Sequence, residues 1–329
     1  MASNKKKLLL TESMAKSGRD VLTERGDIEI VGFANTITEA EFEALLKREA
    51  PVNGVALGVT RFGEKEIDAA GEMLVVARIG VGFDAVDVPA LTARKIPLMV
   101  AGTANSPSVA EQAMFMMLAL AKRGAELNAM VQNDKWSKRL TAVPFDLYGK
   151  TVLIVGFGRI GTRSAKRCQA MDMQVLVYDP YLPAAAIAAA GCEPVADLDQ
   201  ALPRADFVTI HCPKTPETVG MFNAERLARM KPSAYLVNTA RGGIIDEAAL
   251  HQALTSGKLA GAGLDVFAAE PTPADNPLLR LPNLISAPHM AGVTRESLDR
   301  MGLETARNIL SVLDGHPIRD NVINKEVLA

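Results

Sequence analysis

Aromatic side chains make up only 5% of this 329-residue sequence, and just one of them is a tryptophan. The cores must therefore be filled by Val, Ile, Leu, Ala and Met, the residues that fill parallel sheets covered by helices on both faces. Cysteine is equally scarce. Cys168, Cys192 and Cys212 are an odd number with no CxxC spacing, which speaks against a disulfide framework and a structural zinc site and fits a reducing compartment. No metal is expected. The formal net charge is only −2, and lysine and arginine are dispersed, so the basic footprint that nucleic acid demands is missing. The cluster Lys5-Lys6-Lys7 reads as a solvated lead into a first strand. Long apolar runs are absent too: the longest, Ala113 to Ala121, has nine residues where about 20 are needed to cross a bilayer. Leu8-Leu9-Leu10 stops at Thr11, too short for the core of a signal peptide. The chain is expected to be soluble and cytoplasmic, with neither nucleic acid nor membrane as a partner.

What is present is a regular alternation. Short aliphatic runs at Lys7–Leu10, Ile28–Gly32, Gly54–Val59, Leu74–Ile79 and Leu98–Val100 are separated by helical patterns. The clearest of these, Glu39 to Glu49, opens on Thr38 and Glu41, spaced as a capping box. A second series follows at Thr151–Val155, Gln174–Tyr178, Phe207–Ile210, Tyr235–Asn238, Gly263–Phe267 and Leu284–Ser286, six strands in all. Repeated strand–helix–strand units imply parallel sheets, and this length implies two domains. The join falls near Ala101–Pro107, where Gly, Asn, Ser and Pro cluster. A long helix should start after it with Ser108 and Glu111 as another capping-box pair. Its Met- and Leu-rich stretch Ala113–Ala121 reads either as buried between domains or as a subunit interface. A last helix, about Arg295 to Asp314, is expected to return the chain to the first domain. The expected boundaries are 1–102 with 295–329 for one domain and 103–294 for the other.

The strongest local motif is Gly156-Phe157-Gly158-Arg159-Ile160-Gly161, directly after the strand Thr151–Val155. Gly156 permits a tight turn, Gly158 lets the backbone approach a pyrophosphate, and Gly161 lets the next helix pack closely on its strand. The helix N-terminus offers unpaired N–H groups to the phosphates. Asp179 follows 18 residues after Gly161, at a strand end, where a carboxylate accepts hydrogen bonds from ribose hydroxyls and repels a 2′-phosphate. Pro180 and Tyr181 bring no cation to reverse that preference. The expected cofactor is NAD.

Three later strand ends carry reactive side chains. Thr239-Ala240-Arg241-Gly242-Gly243 follows one, Ala268-Ala269-Glu270-Pro271 the next, and Ala287-Pro288-His289 the last. Oxidising a 2-hydroxy acid needs this set. A guanidinium holds the carboxylate in two-point fashion. A histidine takes the hydroxyl proton. A carboxylate on the other ring nitrogen fixes the tautomer.

With these segments in hand, the sequence resembles the D-isomer-specific 2-hydroxy acid dehydrogenase family, most of all its phosphoglycerate dehydrogenase members. The likeness runs through Gly80-Val81-Gly82-Phe83-Asp84, Ser108-Val109-Ala110-Glu111, the glycine motif, Asn238-Thr239-Ala240-Arg241-Gly242-Gly243, Gly263-Leu264-Asp265-Val266-Phe267 and Pro288-His289. It implies two doubly wound parallel-sheet α/β domains, a flavodoxin-like one for substrate and a Rossmann one for NAD. It implies Arg241, Glu270 and His289 as the catalytic triad, with Arg241 on the substrate's carboxylate and carbonyl. Val81 and Gly82 would give backbone N–H groups to the same carboxylate. Asp265 would lie at the nicotinamide carboxamide, with Thr239, Ala240, Arg159 and Ile160 lining the cofactor. A homodimer through the NAD-binding domain, around residues 105–145, is also implied.

The remaining chemistry-bearing residues take quieter readings. His211 and Cys212 end a strand beside the cofactor and read as pocket lining; Cys212 lacks a base partner for nucleophilic work. His251 and His316 read as surface residues, and Asp265 has a structural alternative as a strand-end acid. Phosphoglycerate dehydrogenases commonly place an arginine at the exit of the third strand, where this sequence has Gly58, with Arg61 three residues on. Arg78, before Gly80-Val81-Gly82, is another cation within reach of substrate. The substrate is thus a small D-2-hydroxy acid or its 2-oxo acid: D-3-phosphoglycerate, or alternatively hydroxypyruvate or glyoxylate. Glu270 stands where a formate dehydrogenase-like enzyme would want glutamine. A non-catalytic NAD-sensing protein of the same fold is the binding-module alternative.

Overall fold

The computed structural model describes residues 5–329 and divides into two compact units. One runs up to Asn105 and is completed by Gly292–Ala329; the other is Ser106–Ala291.

In the first unit, five strands form one all-parallel sheet: β1 (Lys6–Thr11), β2 (Ile28–Phe33), β3 (Gly54–Leu57), β4 (Val75–Arg78) and β5 (Leu98–Met99), in the order β2-β1-β3-β4-β5. Leu8, Leu9 and Leu10 are all fully buried, because helices cover both sheet faces and successive side chains of β1 enter different cores. The helix Glu39–Glu49 has its capping box: Glu41 Oε2 accepts from Thr38 N at 2.9 Å, and Glu41 N donates to Thr38 Oγ1 at 3.3 Å. The C-terminal helix Arg295–Leu313 crosses the helix Lys16–Thr23 at Gly18 and Gly302. A Cβ on Gly18 would stand 2.3 Å from the Gly302 carbonyl oxygen, so the crossing needs glycine there. The chain then covers the exposed edge of β5, where Val100 N donates to Asn321 O and Ile323 N to Leu98 O.

The second unit has seven parallel strands rather than the six expected: β6 (Thr151–Val155), β7 (Gln174–Tyr178), β8 (Glu193–Pro194), β9 (Phe207–Ile210), β10 (Tyr235–Asn238), β11 (Gly261–Leu264) and β12 (Leu284–Ser286). Their order is β12-β11-β10-β9-β6-β7-β8. The additional strand, β8, is a two-residue edge too short for an alternating or apolar signal. β11 begins two residues earlier than the pattern indicates and ends at Leu264, leaving Asp265–Phe267 as its exit. Its glycines permit close approach: a Cβ on Gly261 would meet Asn283 O at 2.8 Å, and one on Gly263 would meet the Met116 side chain.

The long helix starts at Ser106, so Ser108 lies inside its first turn and the expected Ser108–Glu111 capping box does not form. Glu111 instead pairs with Arg167 at 2.9 Å. The Met-rich stretch packs within its own unit: Ala113, Met116, Met117 and Ala121 are fully buried in the core shared with β6, β7 and the glycine-turn helix. Its inner face is thus filled by its own sheet, while Phe115 on the outer face stays exposed.

Candidate active site

The glycine turn leaves β6 at Gly156, whose φ of +94° lies in the left-handed region that glycine enters at no steric cost. A Cβ there would sit 2.6 Å from Cys212 N, and one on Gly161 only 2.0 Å from Gly156 O. Gly158, by contrast, has nothing within 4 Å of where its Cβ would be. Two glycines close the turn against the protein, and the third leaves backbone open to a ligand. Asp179, at the end of β7, is bound to this turn: its Oδ2 accepts from Phe157 N at 2.8 Å and its Oδ1 from Tyr181 N at 3.0 Å. Arg159 is exposed and Ile160 half-buried at the mouth of the helix Gly161–Ala170.

The neighbouring exits of β9 and β10 carry polar atoms fitted to a ligand. Thr239 is buried, and its Oγ1 has no hydrogen-bond partner among the described residues. His211 Nδ1 is likewise sealed from solvent and unpartnered, while its Nε2 lies 3.1 Å from Thr209 Oγ1. Burial lowers the His211 pKa to about 3, so this ring is neutral and unfit for acid–base work at ordinary pH. Burial also raises the Cys212 thiol to about 11, which keeps it protonated and un-nucleophilic. Open backbone at Gly158, the acid at Asp179 and an orphaned hydroxyl at Thr239 together fit a dinucleotide.

Arg241, Glu270 and His289, the three residues expected to form a triad, follow three adjacent strands, β10, β11 and β12. His289 Nδ1 lies 2.6 Å from Glu270 Oε2, with both side chains partly exposed, at 47% and 36%. The other carboxylate oxygen of Glu270 accepts from Phe267 N at 3.0 Å, which aims the acid at the ring. The Arg241 loop is fastened to the same point, because Gly242 packs so closely that a Cβ would come within 1.7 Å of Phe267 O. Asn238 locks that loop from inside: its Nδ2 donates to Arg241 O at 2.9 Å and its Oδ1 accepts from Ala240 N at 3.0 Å.

His289 has a left-handed φ of +54°, tolerated by histidine more readily than by most residues but still needing support. Asp265 supplies it. Its main-chain oxygen accepts from His289 N at 2.7 Å, Oδ1 from Met290 N at 2.9 Å and Oδ2 from Ala291 N at 2.8 Å. The residue is fully buried, so both carboxylate oxygens are spent on backbone. The pattern of the sequence did not reveal this clamp, nor a second one at Glu247. The Glu247 carboxylate accepts from Ala268 N at 2.5 Å and from Asn276 Nδ2 at 3.2 Å, holding both ends of the loop that carries Glu270. The signal available was Asp246-Glu247 at a helix start, which reads as ordinary capping.

In the other unit, Arg78 ends β4 and its Nε donates to Gly82 O at 2.9 Å, so it shapes the Gly80-Val81-Gly82 loop. Among the described residues no group of three or more His, Cys, Asp or Glu could hold a metal ion, and no helix is long and apolar enough to cross a membrane.

A glycine turn with an acid on the next strand, at the carboxyl ends of a seven-stranded parallel sheet, defines a dinucleotide-binding α/β protein. Residues 114–291 match the family model for the D-isomer specific 2-hydroxyacid dehydrogenase, NAD binding domain. The chain belongs to that family. It is 40% identical over 319 residues to a D-3-phosphoglycerate dehydrogenase of Methanocaldococcus jannaschii, a match covering 97% of this chain and 59% of the relative. Its fold is similar to a D-lactate dehydrogenase from Aquifex aeolicus complexed with NAD and lactic acid, at 29% identity and a TM-score of 0.82, over 96% of this chain and 99% of that one. It is similar also to a glyoxylate reductase from Paecilomyes thermophila, at 26% identity and a TM-score of 0.86, over 98% and 99%. The chain spans between 53% and 59% of the length of the first curated relatives it matches.

Proposed function

We propose that this protein is an NAD-dependent oxidoreductase that moves a hydride between NAD(H) and a small D-2-hydroxy acid or 2-oxo acid. The observation that carries the reading is the 2.6 Å contact between His289 and Glu270, on strand exits next to the one that bears Arg241. When bound, NAD(H) supplies the hydride acceptor or donor. Arg241 holds the substrate's carboxylate and polarises its carbonyl, in the planar two-point fashion of a guanidinium. His289 gives a proton to the carbonyl oxygen in reduction and takes it back in oxidation. Glu270 accepts a hydrogen bond from Nδ1–H, leaving Nε2 to face the substrate, and stabilises the charged ring.

Gly156, Gly158, Arg159, Ile160 and Gly161 are assigned to the pyrophosphate, and Asp179 to the ribose hydroxyls. Thr239, Ala240, His211 and Cys212 are assigned to the walls of the cofactor pocket, and Asp265 to the nicotinamide end, where it also fixes the His289 loop. Val81 and Gly82 are assigned to the substrate carboxylate, with Arg78 ordering their loop. D-3-phosphoglycerate, as in the relatives' names, and hydroxypyruvate or glyoxylate are the substrates to compare.

Purified protein with NADH and a panel of 2-oxo acids tests the reading. It expects NADH oxidation with at least one of them, and none with any would refute it.

We also propose a homodimer through the NAD-binding unit. Phe115, Val131, Trp136, Leu140, Val143 and Tyr148 are large apolar residues exposed within one stretch of 34 residues, an apolar surface that a partner would cover. Sedimentation should give twice the 35.1 kDa chain mass, and a monomer at micromolar concentration would contradict it. Three free thiols, two of them buried, support a cytoplasmic setting.

A further inference from the structure

The loop that carries Glu270 has almost no packing of its own. Ala268 to Pro271 and Pro273 to Asp275 are exposed, and only Thr272 between them is partly covered. Buried residues stand on either side. Phe267 before it and Leu278 just past it enter the core that also holds Ala249, Leu250, Ala253 and Leu254 of the helix Glu247–Thr255. A segment without buried apolar side chains opens easily unless hydrogen bonds hold it. At both ends of this one those bonds lead to Glu247. Its Oε1 accepts from Ala268 N at 2.5 Å and its Oε2 from Asn276 Nδ2 at 3.2 Å. Asn276 passes the hold inward: its Nδ2 also lies 3.2 Å from Thr272 Oγ1, its N donates to Pro273 O at 3.0 Å and its Oδ1 accepts from Leu278 N at 3.0 Å. Glu247 is not needed to start its own helix, because Asp246 is the N-cap and accepts from Ala249 N at 3.0 Å.

We propose that Glu247 is a positioning residue that acts through Glu270, holding the acid of the His289–Glu270 pair in one frame with Arg241. The inference rests on the dehydrogenase reading and adds the residue on which that pair's geometry depends. The chain runs from Arg241 to Glu247 in six residues, through the buried Ile244 and Ile245, so the guanidinium loop and the clamping carboxylate belong to one fixed segment. That segment meets the Glu270 loop twice. Gly242 lies against Phe267 O with no room for a Cβ, and the Glu247 carboxylate takes the N–H of the same peptide, that of Ala268. One peptide earlier, Phe267 N donates to Glu270 Oε1 at 3.0 Å. The placing of this peptide thus sets where the Glu270 carboxylate meets His289 Nδ1, at 2.6 Å. Asp265 fixes the ring, and Glu247 fixes its partner. Each does so as a carboxylate accepting N–H groups, a kind of bond roughly twice as strong as a neutral one. Glu247 takes no proton in the reaction; its part is distance and angle.

Amide exchange and steady-state kinetics of the full chain, with Glu247→Ala and Glu247→Gln, test the proposal. The Phe267 N–H reports on Glu270 because that carboxylate is its acceptor. In Glu247→Ala its exchange should accelerate about tenfold or more, while Leu250 and Leu254 inside the helix exchange as in the parent. Turnover with the best 2-oxo acid should fall about 10²-fold with NADH affinity kept, the effect of a misplacement of about 1 Å. In a Glu270→Gln background the same substitution should cost about twofold or less, because residues that act as one unit are not additive. A merely structural role would lower turnover equally in both backgrounds. Glu247→Gln fills the same space but turns an NH2 group toward Asn276, so in a chain that keeps its fold it should lower turnover about tenfold and speed the Phe267 exchange to a smaller extent. Parental exchange at Phe267 in both variants, or equal losses of turnover with and without Glu270, overturns the proposal. No turnover of any 2-oxo acid by the parent refutes the dehydrogenase reading, and the Phe267 exchange then still decides whether Glu247 holds Glu270.

Discussion

Asp265→Asn isolates the part of the site that holds His289 rather than His289 itself. The aspartate gives one oxygen to Met290 N at 2.9 Å and the other to Ala291 N at 2.8 Å, in a position closed to water. Asparagine is nearly the same size but keeps only one acceptor and turns an NH2 group toward the second backbone N–H. One charge-assisted bond is lost, worth roughly 1.5–3 kcal/mol, and a buried donor is left unsatisfied at roughly 1–3 kcal/mol. Water cannot reach the site to repair it. If the loop stays in place, the native state should lose about 2.5–6 kcal/mol, read as a lower urea midpoint with an unchanged m-value. If it yields instead, His289 leaves its left-handed conformation and the 2.6 Å contact to Glu270 opens. A misplacement of about 1 Å costs about 10²-fold in turnover. Amide exchange at Met290 and Ala291 separates the two outcomes, since it accelerates only when the loop lets go. A variant with the stability, turnover and exchange rates of the parent would refute the clamp.

Two other perturbations probe neighbouring groups. Glu270→Gln keeps the size of the side chain but no longer fixes the His289 ring through a carboxylate, so turnover should fall about 10²-fold or more with NADH affinity kept; parental turnover would count against the pairing. His211 is neutral when folded but binds a proton when unfolded, because burial lowers its pKa from 6.5 to about 3. Its contribution is therefore complete above about pH 6.5 and drains away as pH falls toward 3, at up to about 1.4 kcal/mol per pH unit. His211→Asn should flatten the acid side of a stability curve over that window, and an identical slope would argue that the ring protonates freely.

Sequence patterning was informative wherever a requirement is local. Leu8-Leu9-Leu10 and Val152–Val155 read as strands because each has helices on both faces, and that burial shows in the chain itself. The glycine turn was legible because Gly156, Gly158 and Gly161 each meet a separate steric demand a few residues apart. Arg241, Glu270 and His289 stood out because each is a charged or titratable residue directly after an aliphatic strand. What stayed hidden depends on partners distant in the chain. Gly261 and Gly263 look like loop residues until Asn283 and Met116 are seen pressing on them. Ser108 and Glu111 have the spacing of a capping box, but Arg167, 56 residues away, claims the glutamate. The Asp265 and Glu247 clamps act on backbone N–H groups, which every residue but proline carries, and so leave no trace in composition or spacing.

The role proposed for His289 is to donate a proton to the reacting carbonyl and take it back. Single-turnover reduction of the preferred 2-oxo acid by enzyme preloaded with NADH, comparing the parent with His289→Gln, measures that step apart from cofactor binding. The loss should be about 10²–10⁴-fold in rate with NADH affinity retained, the usual worth of a general acid. A variant that transfers hydride at the parental rate would show that the proton comes from elsewhere.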